Sequence, residues 1–396
     1  MKYKILIVGA GFGQLPAITR AKELDLEIIV VDKNPEAIGM KLANYSYPID
    51  VLDKEEILAI ARKHEINGIM TMQSDLPVPT IGFVNDALGL TGVSYEVANF
   101  CSNKIETRKR LKVKQCAQPN FEIVDNLDST RLAATSIGFP CVIKAPDSSG
   151  SRGIVKVGAD SEIDFAFNEA FKYTRGKSIL VEEYVVGLEF GAQTFSVNGK
   201  CEIVLLHNDT ISSPPFMIPI GHSLPFTHLS DEQKDEAERD IRNAIEALGI
   251  KNGPANVDLI LDNESKKVKV IEVGARIGAT CLPELVTYHS GIDWVGNTIK
   301  NAMNLNVDLR FKHQKPIAAL IIESPIDGLF RNYILQEGFN EKELIEYEVT
   351  PEVNEEVNIL RKGTDRIGKI IAYGVDVETA ERKVKYYRDL IQINVE

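Results

Sequence analysis

The first 95 or so residues alternate short, wholly apolar runs with amphipathic stretches. "KILIV" (4–8), "EIIVV" (27–31) and "GIMTM" (68–72) show no polar alternation, which predicts strands buried on both faces of a parallel sheet. Between the last two, Ile57, Leu58 and Ala61 fall on one side of a helical repeat. The pattern predicts a βαβαβ unit of about 95 residues. From about residue 140 the texture changes to hairpins. "CVIKAP" and "SRGIVKV" flank a loop of small residues, and "ILVEEYVVG" leads into "EFGAQTFSV". Asn198-Gly199 separates that run from "CEIVLLH", a strong hairpin signal. "SDEQKDEAERDIRNAIEALG" predicts a helix with both ends marked. Ser230 and Gln233 form a capping box, Ala237, Ile241, Ala244, Ile245 and Leu248 make the apolar stripe, and Gly249 ends it. A second hairpin, "VDLIL…VKVIEV", follows. The last 85 or so residues read as a smaller α+β unit, in which the charged stretch 338–356 is expected to be a solvated helix and loop. That unit closes on the strand "RIGKIIAYG" and a helix over 377–390 whose buried face carries Ala380, Val384 and Tyr387.

Composition narrows the functional classes. A chain of 396 residues with 44% hydrophobic and 26% charged positions has room for two or three domains with sizeable cores. A formal charge of −12 argues against nonspecific binding to nucleic acid or to an anionic membrane. The five cysteines (101, 116, 141, 201 and 281) are scattered, with no C-x-x-C, which suits a reducing compartment better than a disulfide framework or a zinc site. The N-terminal apolar run is short for a signal peptide, and no run reaches the ~18 residues of a membrane span. The expected location is cytoplasmic.

"ILIVGAGFGQLPAI" (5–18), with Asp32 ending the next apolar run, suggests a dinucleotide site. G-x-G-x-x-G requires its third glycine at position 14, which is Gln14. The fingerprint therefore fails where helix and strand should pack most closely.

Three other stretches carry chemistry. In the hairpin 257–273, Asp258 and Glu272 lie 14 apart around the polar turn "DNESKK". Pairing about that centre makes them direct cross-strand neighbours, with Cβ atoms roughly 5 Å apart. Facing carboxylates repel unless a cation lies between them, and two carboxylates with room for phosphates suit Mg²⁺; the alternative is a solvent-facing polar pair. Arg276 follows four residues after Glu272, beyond small residues that permit close approach. In "GFPCVIKAPDSSGSRGIVKV", Lys144 sits in an apolar strand and needs an anion nearby, and "DSSGSRG" offers N–H groups and hydroxyls to phosphates; the alternative is a plain hairpin turn. In "ILVEEYVVGLEF", an apolar strand runs into two glutamates, a glycine and another glutamate, either as an exposed edge or as a hinge for a base, with Glu189 on ribose hydroxyls.

In this order, preceded by "SNKIETRKRL", these stretches resemble the ATP-grasp superfamily over nearly the whole chain. The resemblance implies an α/β and α+β protein: a Rossmann-like pre-ATP-grasp domain (1–100), an ATP-grasp domain (101–308, lid subdomain about 112–188) and a small C-terminal α+β subdomain (309–396). It implies that Lys104 and Lys144 contact the phosphates of ATP, with the 148–153 loop (Ser149, Gly150, Ser151) as a lid. Glu182, Glu183 and Val185 would form the adenine hinge, Glu189 would hold the ribose, and Asp258 and Glu272 would bind Mg²⁺, with Mn²⁺ as a substitute. Arg276 would steady the transferring phosphate or the substrate carboxylate. One position departs from the pattern: family members commonly read E-x-N-x-R, with the Asn as a further metal ligand, and here Gly274 stands there. Backbone, water or another residue such as Asn256 would have to replace it.

The implied activity is that of an ATP-dependent carboxylate–amine ligase, which forms an amide through an acylphosphate and releases ADP and phosphate. Its expected partners are a small-molecule carboxylate and amine, without nucleic acid or membrane, and the resemblance also implies a homodimer. Biotin-dependent carboxylases and purine-pathway ligases share the layout. "MQSDLPVPTIGFVNDALGLTGVSYEVANFCSNK" is more similar to the stand-alone amino-acid ligase branch. The proline-rich stretch 212–226 is a candidate acceptor-site lining. Within it His222 reads as a plain loop histidine in preference to a substrate contact or base. Arg152 is divided between a contact to the phosphates or substrate and the surface. Tyr288 and His289 read as helix-end residues, and Trp294 as packing. Two other classes remain: an NAD-linked oxidoreductase using the 5–18 turn and Asp32, and a non-catalytic ATP-binding regulator, for which Gly274 speaks.

Overall fold

A computed structural model describes residues 2–148, 153–212 and 218–396. The chain forms two compact units. One comprises Met1–Val204, Leu229–Ile277 and Val295–Val307, the other Leu205–His228, Gly278–Trp294 and Asp308–Glu396.

The first unit begins with a parallel sheet in the order Tyr45–Tyr47, Glu27–Val31, Lys4–Val8, Gly68–Met70. The uninterrupted apolar runs are its central strands, with Leu6, Val8, Ile29 and Val31 in one core cluster. The helix Lys54–His64 starts at Asp53, whose side chain accepts from the Glu56 N–H, and it buries Ile57, Leu58, Ile60 and Ala61 against that cluster. Sequence periodicity did not reveal the short strand Tyr45–Tyr47, which has no buried residue.

The glycine turn explains the failed fingerprint. Gln14 is buried; its Nε2 donates to the Met72 carbonyl at 2.7 Å and its Oε1 accepts from the Gly11 N–H at 3.2 Å. Its side chain occupies the space that a third glycine would leave, so close that a Cβ on Gly9 would lie 2.9 Å from it. Asp32 turns inward: Oδ2 accepts from the Ala10 N–H and Oδ1 from the Asn34 N–H, both at 2.8 Å. The acid that would read a ribose in a dinucleotide site braces its own turn instead.

A four-stranded antiparallel sheet follows in the order Phe121–Val124, Ile179–Glu183, Cys141–Lys144, Ile154–Val157. The helices Leu127–Ile137 and Ile163–Tyr173 contribute Ala133, Ala134, Ile163, Ala166 and Ala170 to a core with Cys141, Ile143, Ile179 and Val181. With a strand period of two, Val142, Lys144, Leu180 and Glu182 share the opposite face. The strands Gly187–Val197, Gly253–Asp262 and Val268–Gly274 form a further antiparallel set. Asn198 and Gly199 both adopt positive φ, as the hairpin signal requires. The helix Asp231–Leu248 has its Ser230–Gln233 capping box, its apolar stripe buried and Gly249 left-handed.

The second unit pairs Pro219–Leu224, Ile317–Ile322, Gly368–Tyr373 and Glu346–Val349 in antiparallel order. The helix Val377–Asp389 buries Ala380, Val384 and Tyr387, as its periodicity predicts. Two expectations are corrected here. The charged stretch 338–356 contains one 3₁₀ turn (Glu341–Glu343) and the strand Glu346–Val349 in place of a helix, because "EYEV" alternates and Tyr347 and Val349 pack onto the core. The chain also ends in a strand, Ile391–Val395, paired with Gly328–Leu335. All five cysteines are free and buried. Among the described residues no helix is long and apolar enough to cross a membrane.

Gln14→Ala would leave the buried Met72 carbonyl without its donor and open the turn. The expected cost is about 1–3 kcal/mol, read as a lowered denaturation midpoint, with hydrogen-exchange protection falling first around residues 9–14 and 72–73.

Candidate active site

The site is built on the strands Gly187–Val197, Gly253–Asp262 and Val268–Gly274. Asp258 pairs with Gly191 on one side and Glu272 on the other, and Asn256 pairs with Gln193 and Gly274. Alternation places Glu189, Gly191, Gln193, Asn256, Asp258, Glu272 and Gly274 on one face, while Val257 and Leu259 point into the core. Asp258 and Glu272 are therefore cross-strand neighbours, and the backbone reaches that register by an adjustment. Beyond the turn, Leu259 pairs with Val270, and the register shifts between Asp258 and Leu259. Without that bulge at Ile271, Asp258 would face Ile271 and the two carboxylates would lie on opposite faces.

Arg108 holds the bulge. It lies on the helix Lys104–Val113, is 1% exposed, and donates from Nη1 to the Val270 carbonyl (3.0 Å) and from Nη2 to the Ile271 carbonyl (2.9 Å). The same guanidinium grips Glu182 through Nε (2.8 Å) and Nη2 (3.1 Å). Lys144 Nζ lies 2.7 Å from Glu182 Oε2, the oxygen that also accepts from Arg108 Nη2. Burial alone would raise the Glu182 pKa, but Lys144 and Arg108 overcome it and hold the group down at about 2. Burial pulls the Lys144 pKa down, helped by repulsion from Arg108 and Lys104, and Glu182 opposes that pull.

Lys104 comes from the start of the same helix, where Asn103 caps the Ile105 and Glu106 N–H groups. Its Nζ donates to the Ser148 carbonyl (3.0 Å) and reaches Glu272 Oε1 (3.2 Å), which joins the end of the strand Cys141–Lys144 and its following loop to the acidic pair. The Ala145 N–H donates to the Gly153 carbonyl at 2.9 Å and closes the stem of that loop. Ser149, Gly150, Ser151 and Arg152 lie outside the described residues. The Glu183 side chain accepts from Asn120 (3.1 Å) and pairs with Lys269 (2.6 Å). Val185 is buried and Glu189 is exposed on the site face.

Arg276 pairs with Asp75 at 2.7 Å. Burial draws its pKa down, and the Asp75, Asp258 and Glu272 carboxylates outweigh that and raise it. Asp75 belongs to the segment after the first sheet, which is tied to the site by the Gln73 N–H donating to the Ile277 carbonyl at 3.1 Å. Asn256 is engaged at both ends: Nδ2 donates to Asp258 Oδ1 (2.8 Å), and Oδ1 accepts from Gln193 Nε2 (2.6 Å). That chain orients the Asp258 carboxylate.

Arg108 and Asp75 are among the neighbours of these side chains that sequence reasoning missed. Lys104 and Arg108 are spaced i, i+4, so one helix face carries both, and that signal was available. Asp75 is visible only in space. In the second unit, His222 corrects its expectation: it lies on the strand Pro219–Leu224, is buried, and its Nδ1 is 2.7 Å from Asp209 Oδ1, an oxygen shared with His207 Nδ1 at 2.8 Å. Residues 213–217 of the proline-rich stretch lie outside the described residues. Tyr288 and His289 end the helix Leu282–Ser290, and Trp294 is fully buried.

A family model described as ATP-grasp domain matches residues 137–284. The formate-dependent phosphoribosylglycinamide formyltransferase of Methanocaldococcus jannaschii is 26% identical over 355 residues, covering 85% of this chain and 84% of that protein. The crystal structure of phosphoribosylglycinamide synthetase from Anaerococcus prevotii is similar over 100% of both chains, with a TM-score of 0.85 and 26% identity. The L-amino acid ligase structure from Bacillus licheniformis has a TM-score of 0.84 at 21% identity, covering 100% of this chain and 99% of that one, and so shares the fold.

Removing Arg108 strands a buried carboxylate beside a single lysine. Arg108→Ala is expected to lose about 3–5 kcal/mol of stability. Because the Glu182 pKa is depressed in the fold, its contribution is complete above an unfolded value near pH ~4.3 and is lost as pH falls toward about 2. Without Arg108 the acid unfolding transition of the first unit, followed by far-ultraviolet circular dichroism, should move to higher pH.

Proposed function

We propose that this chain, an ATP-grasp enzyme of the C–N-forming ligase class, uses the site above to activate a small-molecule carboxylate with ATP and join it to an amine. The observation that carries the reading is the pairing of Asp258 with Glu272 in a face shared with Glu189, with Lys104 reaching Glu272 and Arg276 within the field of both acids. Facing carboxylates on one exposed strand face are the oxygen-rich donor set that Mg²⁺ takes together with phosphates. Asp258 and Glu272 would hold that ion, which supplies charge neutralisation at the phosphates.

Lys104 and Lys144 would bind the phosphate oxygens, and the loop containing Ser149, Gly150 and Ser151 would cover them. Glu182 aims Lys144 and opposes the effect of burial on it, so its part in the hinge would be indirect. The Glu183 side chain is committed to Asn120 and Lys269, and contacts to adenine would come from the main chain here and from Val185. Glu189 would accept from the ribose hydroxyls. A carboxylate oxygen attacks the γ-phosphorus and the bond to ADP breaks. The amine nitrogen then attacks the acyl carbon, phosphate leaves with its bridging oxygen, and the nitrogen gives up a proton. Arg276 would steady the negative oxygens in both steps, by positioning and electrostatics.

Formate and phosphoribosylglycinamide, in the relatives' names, are substrates of those proteins; the carboxylate and amine of this chain are read at the level of class. A homodimer is the assembly we expect, and sedimentation tests it. Asp32 bracing its own turn removes the motive for an NAD reading.

Phosphate release from ATP and Mg²⁺, screened against pooled carboxylates and amines with mass spectrometry of the product, tests the proposal. A pair-dependent signal with the condensed mass is expected. ATP binding without turnover across the panel would support a regulator instead. Glu272→Gln should lower kcat by about 10²–10³-fold with an unchanged melting temperature, and Lys144→Ala should weaken ATP binding and also lower stability, since it leaves the buried Glu182 with Arg108 as its one cation. Normal turnover in Glu272→Gln would overturn the metal assignment.

A further inference from the structure

Three side chains of the second unit meet at one oxygen atom. His207 and Asp209 lie two apart on the strand Lys200–Ile211, so alternation puts them on one face, and Asp209 pairs directly with His222 on the strand Pro219–Leu224. His207 Nδ1 lies 2.8 Å and His222 Nδ1 2.7 Å from the same atom, Asp209 Oδ1. The two rings stand edge to face with centroids 5.0 Å apart, and one donor atom from each of the three side chains falls within 4.8 Å of the others. The face continues into the apolar cluster of Leu224, Leu285 and Ala319, which brings no polar side chain to the trio.

As a hydrogen-bond network the trio is unfinished. The Asp209 side chain is 15% exposed, and among the described residues no lysine or arginine pairs with it, whereas the buried Glu182 has one of each. His207 is 2% exposed, and its Nε2 has no hydrogen-bond partner among the described residues. Two imidazoles and a carboxylate aimed at one point are also the nitrogen and oxygen donor set that Zn²⁺ takes.

We infer that His207, Asp209 and His222 bind a divalent transition-metal ion, Zn²⁺ by the chemistry of the set, through the two Nδ1 atoms and the Asp209 carboxylate. Neither ATP nor the acidic pair enters this inference. With bonds near 2.0–2.1 Å, the ligands of a tetrahedral ion lie roughly 3.4 Å apart, so the carboxylate has to withdraw by about 0.6 Å to admit it. Each neutral ring takes the ion on Nδ1 and keeps its proton on Nε2, and the ion supplies the positive charge that Asp209 otherwise lacks. Two imidazoles favour such a metal over Mg²⁺, which prefers oxygen. Three protein ligands leave a fourth position for water. The ion would fasten together the strands Lys200–Ile211 and Pro219–Leu224, on either side of the proline-rich stretch.

Zn²⁺ titrated into the metal-stripped full chain tests this without requiring turnover, with a chromophoric chelator in competition and excess Mg²⁺ to occupy oxygen-only sites. The parent is expected to take one equivalent, and that ion to raise its melting temperature. His207→Gln and His222→Gln should each weaken Zn²⁺ binding by at least about 100-fold, beyond the 10–100-fold that follows loss of an outer partner, and Asp209→Asn by at least about 10-fold. All three should lose the Zn²⁺-dependent rise in melting temperature, whereas Glu272→Gln should bind Zn²⁺ as the parent does. No bound Zn²⁺ in the parent, or equal affinity in the parent and the three variants, would overturn the inference. Should the variants fail to fold, X-ray absorption at the zinc edge of the loaded parent decides the question. Two imidazoles and no sulfur are expected there, and fewer than two imidazoles refutes the site.

Discussion

A charged carboxylate at Glu182, 2% exposed, is the constraint around which the candidate site is organised. An ion so deep in protein is tolerated only when paired and hydrogen-bonded on most sides. Lys144 alone would leave half of its acceptor capacity unmet. Arg108 completes it with a planar fork that a lysine lacks, and the N–H groups left over reach two successive carbonyls of a neighbouring strand. Those carbonyls belong to Val270 and the bulged Ile271, so the group that neutralises Glu182 also keeps Glu272 in register with Asp258. The strand Ile179–Glu183, Lys144 and the acidic pair are thereby one electrostatic assembly.

Two lysines that look alike in sequence therefore differ in kind. Lys144 is neutralised by a buried acid in its own sheet, whereas Lys104 rests on Glu272 of the acidic pair and on a carbonyl of the loop stem. An incoming polyphosphate would compete with Glu272 for Lys104 just as a cation arrived to compensate Glu272. Lys144 would keep its partner throughout. The first arrangement couples nucleotide and metal binding, and the second presets a positive charge at small reorganisation cost.

Much of the architecture was legible because its elements announce themselves locally. The parallel strands are uninterrupted apolar runs, the 231–248 helix has both caps, and the 257–273 hairpin has a polar centre. The pairing of Asp258 with Glu272 was also legible, although the bulge that produces it was not: counting from a turn centre gives the right partner only because an extra residue at 271 offsets an off-centre turn. The strand Glu346–Val349 escaped because its alternating apolar positions are set among glutamates, and charge density masked the period. Gln14 escaped differently. A glutamine in a glycine position reads as a defect until its side chain is seen bonding Met72, a residue 58 positions away.

Position 274 shows what a departure from a motif leaves open. A motif records which side chains are contributed from one stretch of chain, whereas a ligand set is defined by where oxygen atoms lie. Replacing asparagine by glycine at position 274 removes an oxygen from the strand and clears a volume in the same step. The segment after residue 72 is pinned beside that volume by its bridge to Ile277, and it places a carboxylate there. Read along the chain, Gly274 favours a regulator that has lost its chemistry; read in space, the same glycine leaves the room in which the Asp75 carboxylate meets Arg276.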